Sequence, residues 1–442
     1  MSNSSIPAAL ARACRTVRPA GPRDAVAGVV PSWVAAPSGN DEASALLATA
    51  AEHGLAVVPR GSGTRIGWGA PPRRCDLIID THLLNRVVEH AAGDLVARVQ
   101  AGVTLRQLAG VLGAAGQQLA LDPPPALANG SAGGPNGSAG GAPTIGGMLA
   151  TGTSGPRRLR YGTPRDVAIG ITVVRPTGIV AKSGGKVVKN VAGYDLGKLF
   201  TGSQGTLGLI TEATFRLHPL PAAVAWVTAE FGPAERAEAV AAVASAASSV
   251  LVPSAVELDW PGGSQRMLRV GVLLEGTESG VAERAKQMSE LLASAGGPVA
   301  VSEAAPARWG TLPAGVTVVR VSFWVSALDS VLEALVSAGA EAGVRSAVSG
   351  PAGAGALYAC LDPDTSDDDA VRFVGVLRGE LAESRGAAPR GSVVVLAAPP
   401  AVLAAAAAGG SVPGAALMRA VRDQFDPDHR MFPGRLAFTG GD

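Results

Sequence analysis

The parts of this chain best suited to chemistry are three short glycine-rich stretches. Pro59-Arg60-Gly61-Ser62-Gly63-Thr64 sets two glycines around a small residue, directly after the apolar run Leu55 to Pro59. Several backbone N–H groups can there converge on an anion with no side chain in the way. A pyrophosphate is the natural occupant, and a tight surface turn is the bland reading of this loop taken singly. Thr144-Ile145-Gly146-Gly147-Met148-Leu149-Ala150-Thr151 reads as a turn entering a short helix, which again offers free N–H groups. It runs on through Ser154-Gly155 to Arg160-Tyr161-Gly162. The third stretch, Gly202-Ser203-Gln204-Gly205-Thr206-Leu207-Gly208-Leu209-Ile210, follows Gly193-Tyr194-Asp195 and feeds a strand ending at His218-Pro219.

Gly61, Gly63 and Gly67, with Asp80 downstream, invite comparison with a dinucleotide fingerprint. That fingerprint must open a helix, whereas Gly67, Gly69, Pro71 and Pro72 prevent one, and the last glycine comes one residue late.

The elements around these loops must hold them in place. Asp41 to His53 has helical apolar spacing with Asn40 as its expected cap. Leu55–Pro59, Asp76–Asp80, Asn85–His90 and Asp94–Gln100 read as strands, and Thr104–Ala115 as a helix. After Asp122-Pro123-Pro124, the run to Pro143 is so rich in Gly, Ala, Ser and Asn that a surface loop over 126–143 is expected. From about Val224 the pattern changes to two similar halves, each a β-α-β-β-α-β order. The first has strands at 224–231, 255–259, 267–275 and 298–302 with helices near 233–248 and 278–295; the second has strands at 316–325, 345–348, 356–362 and 392–397 with helices near 327–340 and 366–383. The fold class is α+β.

Composition narrows the partners. Lys plus Arg number 37 against 36 Asp plus Glu, so no global field draws the 442-residue chain to nucleic acid or anionic lipid. Cys14, Cys75 and Cys360 have no metal-ligand spacing and are too few for an iron–sulfur cluster, which takes about four thiolates. No metal site is expected. No stretch approaches the roughly 20 strongly apolar residues that span a bilayer, and the first thirty residues lack a secretory pattern. A cytoplasmic protein is expected, or one peripheral at the inner face of the membrane.

Taken together and in this order, the three loops resemble the FAD-binding domain of the vanillyl-alcohol oxidase and p-cresol methylhydroxylase family. Within it, Lys186-Val187-Val188-Lys189-Asn190-Val191-Ala192-Gly193-Tyr194-Asp195-Leu196-Gly197 and Phe215-Arg216-Leu217-His218-Pro219 resemble the FAD-binding subunit of bacterial glycolate oxidases, and Phe425-Asp426-Pro427 with Pro433-Gly434-Arg435 resembles the closing segment. The resemblance implies a two-part FAD-binding domain over 1–221, an α+β cap with a large antiparallel sheet over 222–410, and a return to the FAD-binding domain over 411–442.

It also implies roles. Pro59, Arg60, Gly61, Ser62, Gly63 and Thr64 would cradle the pyrophosphate, facing Thr144, Gly146, Gly147 and Thr151. Ser154, Gly155, Tyr161 and Gly162 would hold the ribityl region, and Asp122 and Pro123 would also belong to the cofactor site. Gly205, Thr206, Gly208 and Ile210 would meet the adenine end. Thr64 stands where some relatives attach the flavin through a histidine, so non-covalent FAD is expected unless another residue such as His90 serves. Lys186 and Lys189 suit either a surface position or a counter-ion role, and Tyr194 a structural place beneath the cofactor.

The implied reaction is hydride transfer from a small 2-hydroxy acid to FAD. Electrons would pass on to an iron–sulfur subunit, a quinone or oxygen, with a paralogous flavin subunit as a further partner. The five histidines, His53, His82, His90, His218 and His429, all lie outside 222–410, so the cap cannot supply the histidine metal ligands and base of related dehydrogenases. Strand alternation puts Arg320, Ser322 and Trp324 on one face. Arg320 is the candidate to grip a substrate carboxylate, or else an ordinary solvated or salt-bridged strand residue. The alternative function is an FAD-bearing structural or electron-relay subunit with no substrate site of its own.

Overall fold

The computed structural model describes residues 5–125, 142–186, 194–262, 267–382, 390–408 and 414–436. Most of the run expected as a glycine-rich loop, 126–141, lies outside them, as does Lys189.

Val57–Arg60 and Leu77–Asp80 carry apolar residues on both faces and pair in parallel, as strands covered on both sides do. Trp33–Ala35 pairs in parallel on the far side of Leu77–Asp80, and Val17–Pro19 closes that edge antiparallel. Helix Asn40–Glu52 lays Ala43, Leu46, Leu47 and Ala50 on Val57, Leu77 and Ile79. Its cap is Gly39, not Asn40, which is already helical. The Glu42 carboxylate accepts from the Ser38 N–H and hydroxyl, both at 2.8 Å, and this starts the helix one residue early.

The second sheet is antiparallel throughout, in the order Val87–Ala91, Val96–Gln100, Leu209–Arg216, Ala168–Val174, Val180–Gly184. Helices Leu105–Gly113 and Ile145–Thr151 cover it through Leu108, Leu112, Ile145, Met148 and Leu149. The C-terminal helix Ala415–Phe425 returns here, where Phe425 meets Phe200 edge to face. Beyond it, the Val57 N–H donates to Arg430 O and the Phe432 N–H to Val57 O, each at 2.8 Å. The closing segment thereby extends the first sheet beside the strand that leads into the first glycine loop.

The third sheet has eight strands. Their order is Val299–Ser302, Ala223–Phe231, Leu268–Gly276, Ala255–Trp260, Ser346–Gly350, Ala356–Leu361, Val318–Phe323, Gly391–Ala397, all antiparallel. This is the expected pair of β-α-β-β-α-β halves, joined edge to edge where Ala255–Trp260 meets Ser346–Gly350. The register assigns every side chain to a face. Val227, Val270, Val256, Val348, Leu357, Val319 and Val393 point to the helices Arg236–Ser248, Glu278–Ala293, Leu328–Ala342 and Asp367–Ala382. The opposite face carries Glu275, Glu257, Asp259, Ser349, Tyr358, Arg320 and Ser322, together with the apolar Val318 and Leu396. Trp324, expected on that face, lies beyond the strand end and is 72% exposed.

Candidate functional site

The strand Val57–Arg60 delivers its loop to the edge of a cleft. Pro59, Arg60, Gly61, Ser62, Gly63 and Thr64 form one wall, Thr144, Gly146, Gly147 and Thr151 the second, and Gly205, Gly208 and Ile210 the third. The three separated loops meet at one place. Among the described residues, none of the backbone amides from Ser62 to Arg65 finds a protein acceptor, so that run of donors is available to a ligand.

Two contacts show why the walls have this composition. A Cβ on Gly61 would sit 2.2 Å from Thr144 Oγ1, and that hydroxyl is already the cap that accepts from the Gly147 N–H at 3.3 Å. Gly63 takes a left-handed φ of +77°. We expect Gly61→Ala to push the first two walls apart and weaken cofactor retention about 10- to 100-fold, the range that about 1–3 kcal/mol of overpacking produces. The flavin-to-protein absorbance ratio after dialysis measures it, and adding Thr144→Ala should recover part of the loss.

Arg60 serves the cradle by main chain alone. Its side chain is 4% exposed and turns inward, with Nη1 3.2 Å from Asp24 Oδ1 and Nη2 2.9 Å from Asp80 Oδ2. Asp24 also takes a two-pronged bond from Arg18, whose guanidinium, more than Arg60's, holds the carboxyl well below the usual range. Thr206 is fully buried and does not line the cleft; its hydroxyl donates to Ser203 O.

Sequence reasoning missed the C-terminal wall. Phe432 and Arg435 line the cleft, with the Arg435 guanidinium 4.4 Å over the Phe432 ring and bonded to the carbonyls of Arg65, Ile66 and Ala70. Burial lowers its pKa to about 9. Nε of Arg65, Nε of Arg435 and Oε1 of Gln204 are buried around the cleft without a partner among the described residues. Such orphaned groups call for a polar ligand.

Asp122, Pro123, Ser154, Gly155, Tyr161 and Gly162 are not among the residues that line the cleft, and Tyr161 meets the eight-stranded sheet instead. Gly155 passes so close to the Asp122 main chain that a Cβ would meet its carbonyl at 1.9 Å. Asp122 accepts from the Arg157 N–H at 3.1 Å, and burial lifts its pKa to about 7. The Tyr161 hydroxyl donates to Glu275 at 2.9 Å and Arg157 pairs with the same carboxylate at 3.1 Å, fastening the sheet to the loop walls.

Beside this seam Trp68 packs on Val318, Tyr358 and Leu396, and the Gly69 N–H donates to Leu396 O at 2.7 Å. Arg320 lies opposite Tyr358 in register. Burial raises the Tyr358 pKa, while the charges of Arg320, Arg158 and Arg65 oppose the rise.

One expectation, for Tyr194, needs correction, and the alternatives left open for Lys186 and His90 are decided. Lys186 pairs with Glu89 at 2.5 Å on a different sheet face and is no counter-ion for the cleft. Tyr194 is 94% exposed and is not among the residues that line the cleft, so a place beneath the cofactor finds no support. His90 bonds Gln117 at 2.9 Å, and no histidine lines the cleft.

This cleft and the sheet of two β-α-β-β-α-β halves belong to a fold of the p-cresol methylhydroxylase type. Residues 31–143 and 124–184 match the FAD binding domain family, and the cofactor is FAD. Across the whole chain, p-cresol methylhydroxylase with bound substrate superposes with a TM-score of 0.71 at 16% identity, covering 98% of this chain and 96% of that one. Alkyldihydroxyacetonephosphate synthase gives 0.62 at 18% identity, with 92% and 77% covered. A glycolate oxidase subunit of Bacillus subtilis is 38% identical over 192 residues, 43% of this chain and 38% of the relative. A D-lactate dehydrogenase of Archaeoglobus fulgidus is 37% identical over 186 residues, 42% and 38% of the two chains. The chain thus spans well under half the length of these two curated relatives. Among the described residues no group of three or more His, Cys, Asp or Glu could hold a metal ion, and no helix is long and apolar enough to cross a membrane.

Proposed function

We propose that this chain is an FAD-dependent oxidoreductase of the glycolate oxidase kind, acting on a small 2-hydroxy acid with non-covalent FAD and handing electrons to a partner subunit or other acceptor in the cytoplasm. The observation that carries the reading is the convergence of three glycine loops on one cleft, lined also by Arg65, whose neighbour Trp68 packs on Tyr358 opposite Arg320 in the sheet. When bound, FAD supplies the two-electron acceptance that turns a 2-hydroxy acid into a 2-oxo acid.

In this reading 1–221 and 411–442 form the flavin-binding unit and 222–410 the cap. The amides of Ser62 to Arg65 hold the diphosphate with Thr144, Gly146 and Gly147. Gly205 to Ile210 meet the adenine end, and the seam around Asp122, Ser154, Gly155 and Tyr161 lies toward the ring. Arg320 grips the substrate carboxylate. Thr64 and the absence of histidine from the cleft lining favour non-covalent attachment.

The test is the visible spectrum of the purified chain without oxygen. A yellow protein whose flavin band fades when small 2-hydroxy acids are added is the expected result. A yellow protein that none of them bleaches would instead select the electron-relay reading, which the histidine-free cap favours.

A further inference from the structure

Three guanidinium groups at the seam between cleft and sheet lack a carboxylate. Arg320 sits across from Tyr358 on the neighbouring strand, and its Nε is buried without a partner. Arg65 is 6% exposed, lies 5.2 Å over the Trp68 ring that packs on Tyr358, and borders the flavin cleft; its Nη2 donates to Pro124 O while its Nε has no partner. Arg158 opens the short helix Arg158–Tyr161, and its charge acts on both Tyr358 and Arg320.

Among the described residues, none of these three is within ion-pair distance of Asp or Glu, whereas their neighbours are matched: Arg157 to Glu275, Arg308 to Asp259 and Arg60 to Asp24 and Asp80. The carboxyls that act on the group are otherwise engaged. Asp122 accepts from the Arg157 N–H at 3.1 Å, and Asp166 accepts from the Thr163 N–H and hydroxyl, both at 2.7 Å.

Uncompensated positive charge in a desolvated seam is costly, and the cost falls when an anion arrives. A monocarboxylate fills one arginine fork and leaves the other two cations that act on Tyr358 unmatched. We propose that this seam takes a dianion: a 2-hydroxy acid with a second carboxylate, one end on Arg320 and the other on Arg158 with Arg65 alongside. The inference rests on the FAD-oxidoreductase reading and sharpens its substrate class. A second carboxylate suits the site because each guanidinium offers paired N–H donors in one plane.

Binding of non-reducing probes separates this idea from the reaction itself. The FAD-loaded protein is titrated calorimetrically with acetate, malonate, succinate and inorganic phosphate. Malonate or succinate should bind at least tenfold more tightly than acetate. Arg158→Gln should erase that advantage and leave acetate unchanged, with Arg158→Lys retaining part of it, whereas Arg320→Gln should weaken all carboxylates. Equal affinities for acetate and the dicarboxylates overturn the proposal, as does a loss in Arg158→Gln that is the same for both. Phosphate binding more tightly than either dicarboxylate would also overturn it. If dicarboxylates bind selectively and no 2-hydroxy acid bleaches the flavin, the anion site stands and the oxidoreductase reading falls. If glycolate bleaches it and dicarboxylates show no preference, the reverse holds.

Discussion

Arg60→Met is expected to lose about 3–5 kcal/mol of stability, the usual effect of removing one partner from a buried ion pair, and to purify with little flavin. Arg60 is the last residue of the strand Val57–Arg60 and the first turn of the cradle follows it directly. Its guanidinium ties the Asp24 turn and the end of the neighbouring strand at Asp80 to that point, and Asp80 in turn accepts from the His82 N–H at 3.0 Å. With methionine, the Asp80 carboxylate, 4% exposed, keeps only His82, while Asp24 keeps Arg18. The strand ends then lose the tie that fixes where the amides of Ser62 to Arg65 point. Urea denaturation of the FAD-free protein measures the first effect and flavin content the second. Asp80→Asn added to Arg60→Met should restore a good part of the stability, because it removes the charge left without a cation. If Arg60→Met unfolds at the same urea concentration as the unaltered protein, the network does not hold the cradle.

How much of this was legible beforehand depended on whether the determinant was local. The loops at 59–64 and 144–151 could be read because close main-chain approach demands glycine, and the Gly61 contact with Thr144 is that demand made physical. The eight strands could be read because one face must be apolar, and alternation in runs such as Val318–Phe323 records it. Direction and partnership across elements left no such trace. Nothing near Arg60 says that its side chain turns to Asp24, 36 positions away. Arg320 was visible as an arginine in an apolar strand, but its pairing with Tyr358 exists only in the register. Tyr194 was drawn toward the cofactor by its place in a resembling stretch and Lys186 was left between surface and counter-ion, whereas the fold puts the first in solvent and the second on Glu89. Arg435 acts on residues 65–70 from the far end of the chain.

Raising the pH from 5 to 8 should weaken the seam between sheet and cleft, and Glu257→Gln should abolish that component. Glu257 is 4% exposed on the polar face, and its two oxygens accept from the Gly310 N–H at 3.2 and 2.9 Å. Burial pushes its pKa up to about 8 against an ordinary 4.5; Asp122 and Asp259 add to the rise, while the Gly310 bond and Arg308 oppose it. The raised value fixes the sign. The folded protein prefers the protonated acid, so the contribution is complete below the unfolded value of 4.5 and is lost as the pH passes through 8. Between those limits each pH unit removes about 1.4 kcal/mol. A glutamine side chain at this position would keep an oxygen for Gly310 and never ionise. The variant should therefore melt close to the unaltered protein near pH 5 and clearly above it near pH 9, and thermal unfolding across that range follows the divergence. Parallel curves for the two proteins would place the ionisation elsewhere. Because a Cβ on Gly310 would touch Pro156, next to the Gly155 approach to Asp122, loosening at Glu257 reaches the wall of the seam that carries the three arginines. Dicarboxylate affinity should accordingly fall over the same pH window in the unaltered protein and hold steadier in the variant.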